Sequence, residues 1–190
     1  VFNAGEGEFE GGLKSQTVPT LLDEEVAAPE KNPTLYGHDF VMWDPMVEGA
    51  VMQEGGLTFN AIYEPAEFVV KLLDEDGKTP LKEETVTFGD SLEALQNYKP
   101  EKPGYDFVKW SKEIPATMGG EDFTAQAVWS AKTYKLEFYD ADGKTLVDVI
   151  VDKTGASVKA PDYPMVDGYV YTGWVNEKGE GVPATMPVDG

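Results

Sequence analysis

Alternation of apolar and polar residues is the main secondary-structure signal in this chain. Residues 57–63 (LTFNAIY) and 123–129 (FTAQAVW) place apolar side chains at every second position, and residues 134–139 and 147–151 repeat the alternation. Successive side chains of a β-strand point to opposite faces, so a period of two predicts half-buried strands. We therefore expect a strand-dominated chain.

Two nearly identical hexapeptides separate predicted strands: DEDGKT at residues 74–79 and DADGKT at residues 140–145. Aspartate side chains bond nearby backbone N–H groups, and glycine adopts the positive φ that tight turns need. The pattern predicts hairpin turns at these positions. Their central residues are Asp76, Gly77, Asp142 and Gly143.

The hexapeptides also invite comparison with phosphate and calcium loops. A Walker loop needs a glycine five residues before the Gly-Lys pair, where this chain has Leu72 and Phe138. A calcium loop of the EF-hand type needs an oxygen ligand at its fifth position, which is Lys78 or Lys144 here. Both motifs are excluded. We predict no metal site, with a weak cation site in an acidic turn left as the alternative.

A spaced pattern, Pro-x3-Gly-x2-aromatic-x2-Trp, recurs three times and predicts a repeat of roughly 65 residues. Three of the four tryptophans lie on it. The three copies are Pro33, Gly37, Phe40 and Trp43; Pro100, Gly104, Phe107 and Trp110; and Pro164, Gly168, Tyr171 and Trp174.

We divide the chain into three tandem units, residues 1–64, 65–130 and 131–190, with short joints at residues 64–67 and 130–133. Each unit is expected to contain a strand, a hairpin turn, a second strand, a short helical turn, the strand that carries the Gly-to-Trp pattern, and a last strand. This is an α+β fold dominated by strands. The first unit is expected to begin inside its opening strand and the third to lack its last strand.

Two local predictions complete this outline. In the first unit, FNAGEGEFEGG at residues 2–12 is expected to replace the DGKT turn with a longer, glycine-rich one. The helical turn has its best signal at residues 92–95, where Asp90 is a candidate N-cap. In the third unit Pro161 limits it to about one turn.

Composition narrows the function classes. The formal net charge is −20 and all 15 basic residues are lysines, so nucleic acid and anionic membrane surfaces are poor partners. There is no cysteine, and no apolar run approaches the roughly 20 residues of a membrane span. We expect neither disulfides nor membrane insertion.

Catalytic signals are weak throughout the chain. The single histidine, His38, takes the place of Tyr105 and Tyr169 in the repeat, which predicts a half-buried strand residue. No serine has a nucleophile-elbow setting, and acidic clusters such as residues 23–25 are typical of solvated faces. We predict no enzyme, no catalytic residue and no cofactor.

The chain resembles a known family, the Listeria–Bacteroides repeat. This family includes the B-repeat modules of internalin-like bacterial surface proteins. The resemblance rests on FNAGEGEF in the first unit, on PGYDFVKW and DGYVYTGW in the next two, and on PATM before a final TAQAVW strand. It implies ubiquitin-like β-grasp modules used in tandem outside the cell as a stalk, spacer or adhesive. His38 replaces the usual tyrosine, and the first unit departs most from the pattern.

The pattern aromatics pose a geometric problem. In a regular strand Tyr105 and Phe107 face one side while Val108 and Trp110 face the other, so both sets enter one core only if a bulge redirects the tryptophan. We predict that the three pattern tryptophans anchor the cores, Trp110 and Trp174 being largely buried and Trp43 less regular. The alternative is an exposed aromatic row that binds protein or glycan.

The sequence therefore predicts a non-enzymatic stalk or spacer of a bacterial cell-surface or secreted protein. The alternative is an adhesive module that recognises host protein or glycan through exposed aromatics or strand edges. Candidate partners are an extracellular protein or glycan and the flanking repeats of the parent chain. Ligand and oligomeric state are not specified by the sequence.

Overall fold

The computed structural model describes residues 1–163 and 165–188, so Pro164 of the third pattern copy lies outside the described residues. Strands dominate, as predicted. The described residues contain one short helix. The elements are β1 (Phe2–Asn3), β2 (Ser15–Gln16), β3 (His38–Asp44), β4 (Phe59–Pro65), β5 (Glu67–Leu73), β6 (Pro80–Thr87), α1 (Glu93–Gln96), β7 (Tyr105–Trp110), β8 (Phe123–Ala131), β9 (Thr133–Tyr139) and β10 (Leu146–Lys153).

The predicted first repeat, residues 1–64, contains a four-stranded sheet in the order β2-β1-β4-β3. The first strand pairs in parallel with the last, with Phe2 opposite Phe59, while β1–β2 and β3–β4 are antiparallel. Residues 4–14, which contain most of the glycine-rich segment, connect β1 to β2, as expected from their place in the repeat. No helix occurs among the first 64 residues, so the predicted helical turn of this unit is wrong.

Aromatic side chains build the core of this sheet. Phe2 stacks on Phe59 with ring centroids 4.8 Å apart and meets Trp43 edge-on at 4.9 Å. Phe9, from the glycine-rich segment, stacks on Trp43 with ring centroids 6.1 Å apart. Offset and edge-on pairs of this kind add stabilisation beyond the apolar area they bury.

The second repeat has the same strand order, β6-β5-β8-β7. Helix α1 follows β6 and buries Leu95. Asp90 does not cap it: the N-cap is Leu92, without a side-chain cap, and the Ser91 hydroxyl accepts the Glu93 N–H at 3.3 Å. The capping prediction is wrong because the helix begins later than the pattern suggested. The other buried apolar residues of this repeat are Ala66, Val70, Leu72, Leu92, Ile114, Met118, Ala125 and Ala127.

Among its described residues, the predicted third repeat contains a single two-stranded sheet, in which β9 and β10 pair antiparallel. The strand expected at residues 168–174 is absent, which corrects the prediction. Its counterparts, β3 and β7, each pair with the last strand of their repeat. Within the described residues no such last strand follows in the third repeat, so the segment has no ladder to join. Phe138 and Met186 are its buried apolar side chains.

By its packing the chain divides into two compact units that cut across the predicted repeats. One contains Val1–Leu73, Lys78–Tyr98 and Lys112–Ala125, and the other contains Asp74–Gly77, Lys99–Ser111 and the chain from Gln126 onward. The boundaries at 64/65 and 130/131 therefore remain predictions. Among the described residues no helix is long and apolar enough to cross a membrane.

Candidate functional site

A β-bulge redirects the pattern tryptophans. In β7 the pairing with β8 shifts between Phe107 and Lys109, so Val108 is the extra residue and is 55% exposed. Beyond the bulge, Trp110 lies on the same side as Phe107, and their ring centroids are 5.0 Å apart. The same shift occurs in β3 at Val41. The bulge resolves the conflict between a period of two and the spacing of the aromatics.

The three pattern tryptophans differ in burial, and Trp110 and Trp174 are less buried than predicted. Trp43 is 6% exposed, because Phe2 and Phe9 pack against it, while Trp110 and Trp174 are half-buried. Among the described residues, the Trp43 indole N–H has no hydrogen-bond partner. Trp43 is thus embedded in the apolar core, whereas the Trp174 N–H reaches the Pro161 carbonyl at 2.9 Å.

In each repeat a third aromatic side chain packs against the aromatic residues of the spaced pattern. This third residue is not part of the pattern. Tyr63 and Trp129 come from the last strands β4 and β8, and Tyr163 comes from the loop before the third pattern copy. The available signal was that Tyr63 and Trp129 both end the alternating segments. The ring pairs are Tyr63 with Phe40 at 6.1 Å, Trp129 with Phe107 at 5.7 Å, and Tyr163 with Tyr171 at 5.2 Å.

In the first two repeats this third aromatic ties the last strand to the first turn. The Tyr63 hydroxyl donates to the Ala4 carbonyl at 3.0 Å. The Trp129 indole N–H donates to the Asp74 carboxylate. Ala4 and Asp74 hold matching positions, directly after β1 and β5. Each turn is therefore held by an aromatic that is distant in sequence.

Asp74 accepts hydrogen bonds from three groups: the Glu75 N–H, the Lys102 ammonium and the Trp129 indole N–H. Burial alone would raise its pKa, but hydrogen bonds from the Glu75 amide, the Trp129 indole and Lys102, together with the charge of Lys102, lower the pKa of Asp74 below its ordinary value. Lys102 Nζ lies 3.2 Å from Asp74 and 2.7 Å from Glu75, and 5.1 Å from the Tyr105 ring centroid. Every member of the cluster has a partner, which is typical of a structural network.

Tyr163 holds the corresponding turn of the third repeat. Its hydroxyl donates to Asp140, and this hydrogen bond is the main cause that raises the pKa of Tyr163. Its ring stacks on Tyr171 and meets Trp174 edge-on at 5.5 Å. A loop residue therefore makes the turn contact that Tyr63 and Trp129 make from a last strand.

The DGKT segments form hairpin turns between β5 and β6 and between β9 and β10. Gly77 and Gly143 have φ of 67° and 65°. Asp142 accepts the N–H groups of Lys144 and Thr145, both at 2.8 Å, and the Thr145 hydroxyl at 2.7 Å. These bonds lower the pKa of Asp142, the Thr145 amide having the largest effect. The Asp142 oxygens are thus used within the turn, and the described residues include no metal-binding group of three or more carboxylates or histidines.

The joint between the first and second repeats is shorter than the four residues expected. Strand β4 ends at Pro65 and β5 begins at Glu67, which leaves only Ala66 between them. The Ala66 N–H donates to the Gly37 carbonyl at 2.9 Å, and the Phe88 N–H donates to the Ala66 carbonyl at 2.8 Å. One buried residue is therefore bonded to both repeats.

The second joint repeats this arrangement. Lys132 alone separates β8 from β9. Its N–H donates to the Gly104 carbonyl at 2.8 Å, and its carbonyl accepts the Thr154 N–H at 2.9 Å. The Thr154 hydroxyl adds a bond to the Gly104 carbonyl at 2.9 Å, and Lys132 Nζ lies 3.4 Å from Asp106. Neither Phe88 nor Thr154 was singled out from the sequence.

Exposed aromatics do not recur at equivalent positions among the described residues. Tyr169 is 82% exposed, but its counterparts His38 and Tyr105 are half-buried, as predicted for the histidine. Tyr36 is 71% exposed and is matched by Pro103. The sheets therefore do not present one aromatic row across the repeats.

These features define a strand-rich protein of tandem repeats whose recurring residues build cores, turns and joints. The family model described as the Listeria-Bacteroides repeat domain matches residues 73–133 and 134–186, more than half of the chain. The chain belongs to this family, which confirms the resemblance seen in its sequence. The two matches are tandem copies, and residues 1–72 lie outside them.

Two curated relatives are similar to the chain. Over 189 aligned residues, which cover 90% of the chain, it is 22% identical to a protein of Evansella cellulosilytica described as a Gly-rich membrane protein. Over 116 residues, 56% of the chain, it is 31% identical to Internalin H of Listeria monocytogenes. The chain spans only 22% and 20% of the length of these two relatives.

Proposed function

We propose that the chain is a non-enzymatic stalk or spacer region of a bacterial cell-surface or secreted protein, positioned outside the cell. The single observation that carries this proposal is the pair of one-residue joints at Ala66 and Lys132, each bonded on both sides. A linker acts as a flexible coil only when it is long and free. Short, hydrogen-bonded joints of this kind restrict the motion of one repeat relative to the next, as a spacer requires.

The comparisons with known proteins support a bacterial cell-surface or secreted setting. The family occurs as tandem copies in this chain, and the relatives are named as a membrane protein and an internalin. The formal net charge of −20 fits a strongly hydrated segment. Neither the Evansella protein nor Internalin H is named as an enzyme.

We further propose three repeats, residues 1–64, 65–130 and 131–190, of which the first two are β-grasp-like. Supporting this are the identical strand orders, with the first and last strands side by side at the centre of each sheet. The parallel pairing of β1 with β4 and the helix α1 after β6 add to the likeness.

The adhesive alternative would require an aromatic surface that recurs from repeat to repeat. Within the described part of the chain, the most exposed aromatics, Tyr36 and Tyr169, do not share a repeat position. This supports the structural role. An adhesive function of the third repeat alone would have to use Tyr169 and Tyr171 together with neighbouring apolar residues.

The response of the chain's size to salt tests the proposal. Flexibly linked acidic repeats repel one another at low ionic strength and contract when salt shortens the Debye length from about 30 Å at 0.01 M to about 3 Å at 1 M. We expect the radius of gyration from small-angle scattering to stay constant over this range. The control is a chain with a flexible six-residue Gly-Ser linker inserted after Ala66 and another after Lys132. The radius of gyration of this control should decrease as salt is added. Contraction of the unmodified chain to the same extent would contradict the spacer proposal.

A further inference from the structure

The pattern glycines lie where consecutive repeats meet. Gly37 is buried at φ +70°, and a Cβ built on it would lie 2.3 Å from the Phe88 ring. Real Cβ atoms essentially never approach another heavy atom below 3.0 Å. Phe88 follows β6 and thus belongs to the second repeat. Because Gly37 has no Cβ, the Phe88 ring of the next repeat can pack directly against its α-carbon.

The same relation holds at the second joint. Gly104 is buried at φ +77°, and its Cβ would lie 2.7 Å from Thr154 Cγ2. Thr154 follows β10 as Phe88 follows β6. The third pattern glycine, Gly168, has φ +83° and nothing within 4 Å of its Cβ position. Positive φ is common to all three glycines, whereas the close contact occurs only at the two joints.

We propose that the glycine of the Pro-x3-Gly pattern is a coupling residue, which docks the following repeat through its carbonyl and its bare α-carbon. Its carbonyl accepts the N–H of the joint residue, Ala66 or Lys132. The joint carbonyl then accepts the N–H of the residue seated on the glycine. The glycine, the joint residue and the residue seated on the glycine thus form a clamp, in which the missing side chain of the glycine makes room for the seated residue. The inference holds for a stalk and for an adhesive array alike.

Side chains around the first clamp enlarge the contact. Tyr36 and His38, which flank Gly37, meet the Phe88 ring edge-on at 5.5 and 5.2 Å. The Tyr36 hydroxyl also accepts the Gly120 N–H at 3.0 Å. Together they bind the first repeat to two separate segments of the second.

The test compares two glycine-to-alanine variants of the full chain. Gly37→Ala introduces both the positive-φ cost and the clash with Phe88. Gly49→Ala introduces the φ cost alone, because Gly49 has φ +75° with nothing within 4 Å of its Cβ position. The chain contains no cysteine, so spin labels at Glu30→Cys and Glu93→Cys report a unique distance between the first and second repeats.

We expect Gly37→Ala to broaden the label distance distribution at least about twofold and to speed hydrogen exchange at the Ala66 and Phe88 amides at least about tenfold. Amides of the β3–β4 ladder should keep their protection, because the sheet of the first repeat does not depend on the clamp. Gly49→Ala should leave the distribution and both joint amides unchanged. An unaltered distribution in Gly37→Ala, or equal broadening in both variants, would overturn the proposal.

A second variant covers the case in which Gly37→Ala fails to fold. Phe88→Ala removes the seated ring while Gly37 stays, and it should broaden the distribution as well. Because the clash partner is then gone, adding Gly37→Ala to Phe88→Ala should cause little further broadening, which is the non-additivity of residues in direct contact. A narrow distribution in Phe88→Ala would show that ring and glycine do not couple the repeats.

Discussion

At the scale of single residues, equivalent positions of the repeat have unequal surroundings. Trp43 is enclosed by Phe2 and Phe9, whereas Trp110 and Trp174 keep part of their surface in contact with solvent. The cost of truncating a tryptophan depends on the apolar surface it buries and on the cavity it leaves. The same substitution should therefore have different effects in different repeats.

Trp43→Ala should destabilise the first repeat by about 3–5 kcal/mol, the range for emptying a core aromatic site. Urea unfolding followed by circular dichroism measures this change. Trp110→Ala should cost less, since Trp110 is half-buried, and Val41→Ala should cost under about 1 kcal/mol because Val41 is 47% exposed. Equal losses for Trp43→Ala and Trp110→Ala would contradict this reading of the cores.

Acid should weaken the second repeat partly through Asp74. Its pKa is lowered in the folded state, so its contribution to stability is complete above the unfolded value of about 3.9 and is lost as pH falls through the folded pKa. We expect the urea midpoint of the wild type to fall more steeply below pH 4 than that of Asp74→Asn. Trp129→Phe, which keeps an aromatic ring but removes the indole donor, should show an intermediate slope. Identical slopes for all three proteins would rule out this role of Asp74.

At the scale of elements, the bulges at Val41 and Val108 decide which face the tryptophans take. An extra residue in one strand of an antiparallel pair shifts the side-chain alternation beyond it by one position. Without the bulge, Trp110 would leave the side of the sheet that carries Phe107. A single solvent-facing residue thus determines the composition of the aromatic cluster.

Deleting Val108 should remove the bulge and keep Trp110 on the side of Phe107, because the two aromatics are then two positions apart in a regular strand. We expect the cost to stay well below the loss of about 3–5 kcal/mol that follows removal of a core aromatic. Val108→Ala keeps the bulge and should cost less than about 1 kcal/mol, because this side chain is 55% exposed. Urea unfolding and tryptophan fluorescence compare the two variants. A deletion variant that loses about 3 kcal/mol or more, or whose emission shifts to that of an exposed tryptophan, would show that Val108 is not the extra residue.

At the scale of the whole molecule, the repeats differ in how completely their backbone is paired. The first two repeats have four-stranded sheets, while the third has two strands among its described residues. Its pattern segment is correspondingly open, with Tyr169 82% and Val170 88% exposed. Segments with few buried contacts and unpaired backbone open at low free-energy cost.

Limited chymotrypsin digestion should therefore cut first after Tyr169 or Tyr171 and leave a fragment that contains the first two repeats. Tyr36 is an internal control: it is 71% exposed, but its ring packs against Phe88 and its hydroxyl is bonded to Gly120. Mass spectrometry of the early products identifies the sites. Cleavage after Tyr36 as early as after Tyr169 would contradict this order of stability.

The sequence by itself determined the features that depend on local pattern. Alternating segments became β4, β8, β9 and β10, the DGKT segments became hairpin turns, and the spaced glycines and aromatics led to the correct family. Each of these follows from side-chain period or turn chemistry within a few residues. The family resemblance needed no contact between distant parts of the chain.

Only the tertiary structure decided how these pieces combine. The contacts of Trp129 with Asp74 and of Gly37 with Phe88 join residues about 50 positions apart, and nothing in the local pattern specifies them. The strand predicted at residues 168–174 failed for the same reason, because a strand needs a partner ladder that its own residues cannot supply. Burial of Trp43 likewise depended on Phe2 and Phe9, which lie far from it in sequence. Periodicity sets which residues can form a strand, whereas long-range packing sets which strands, cores and joints exist.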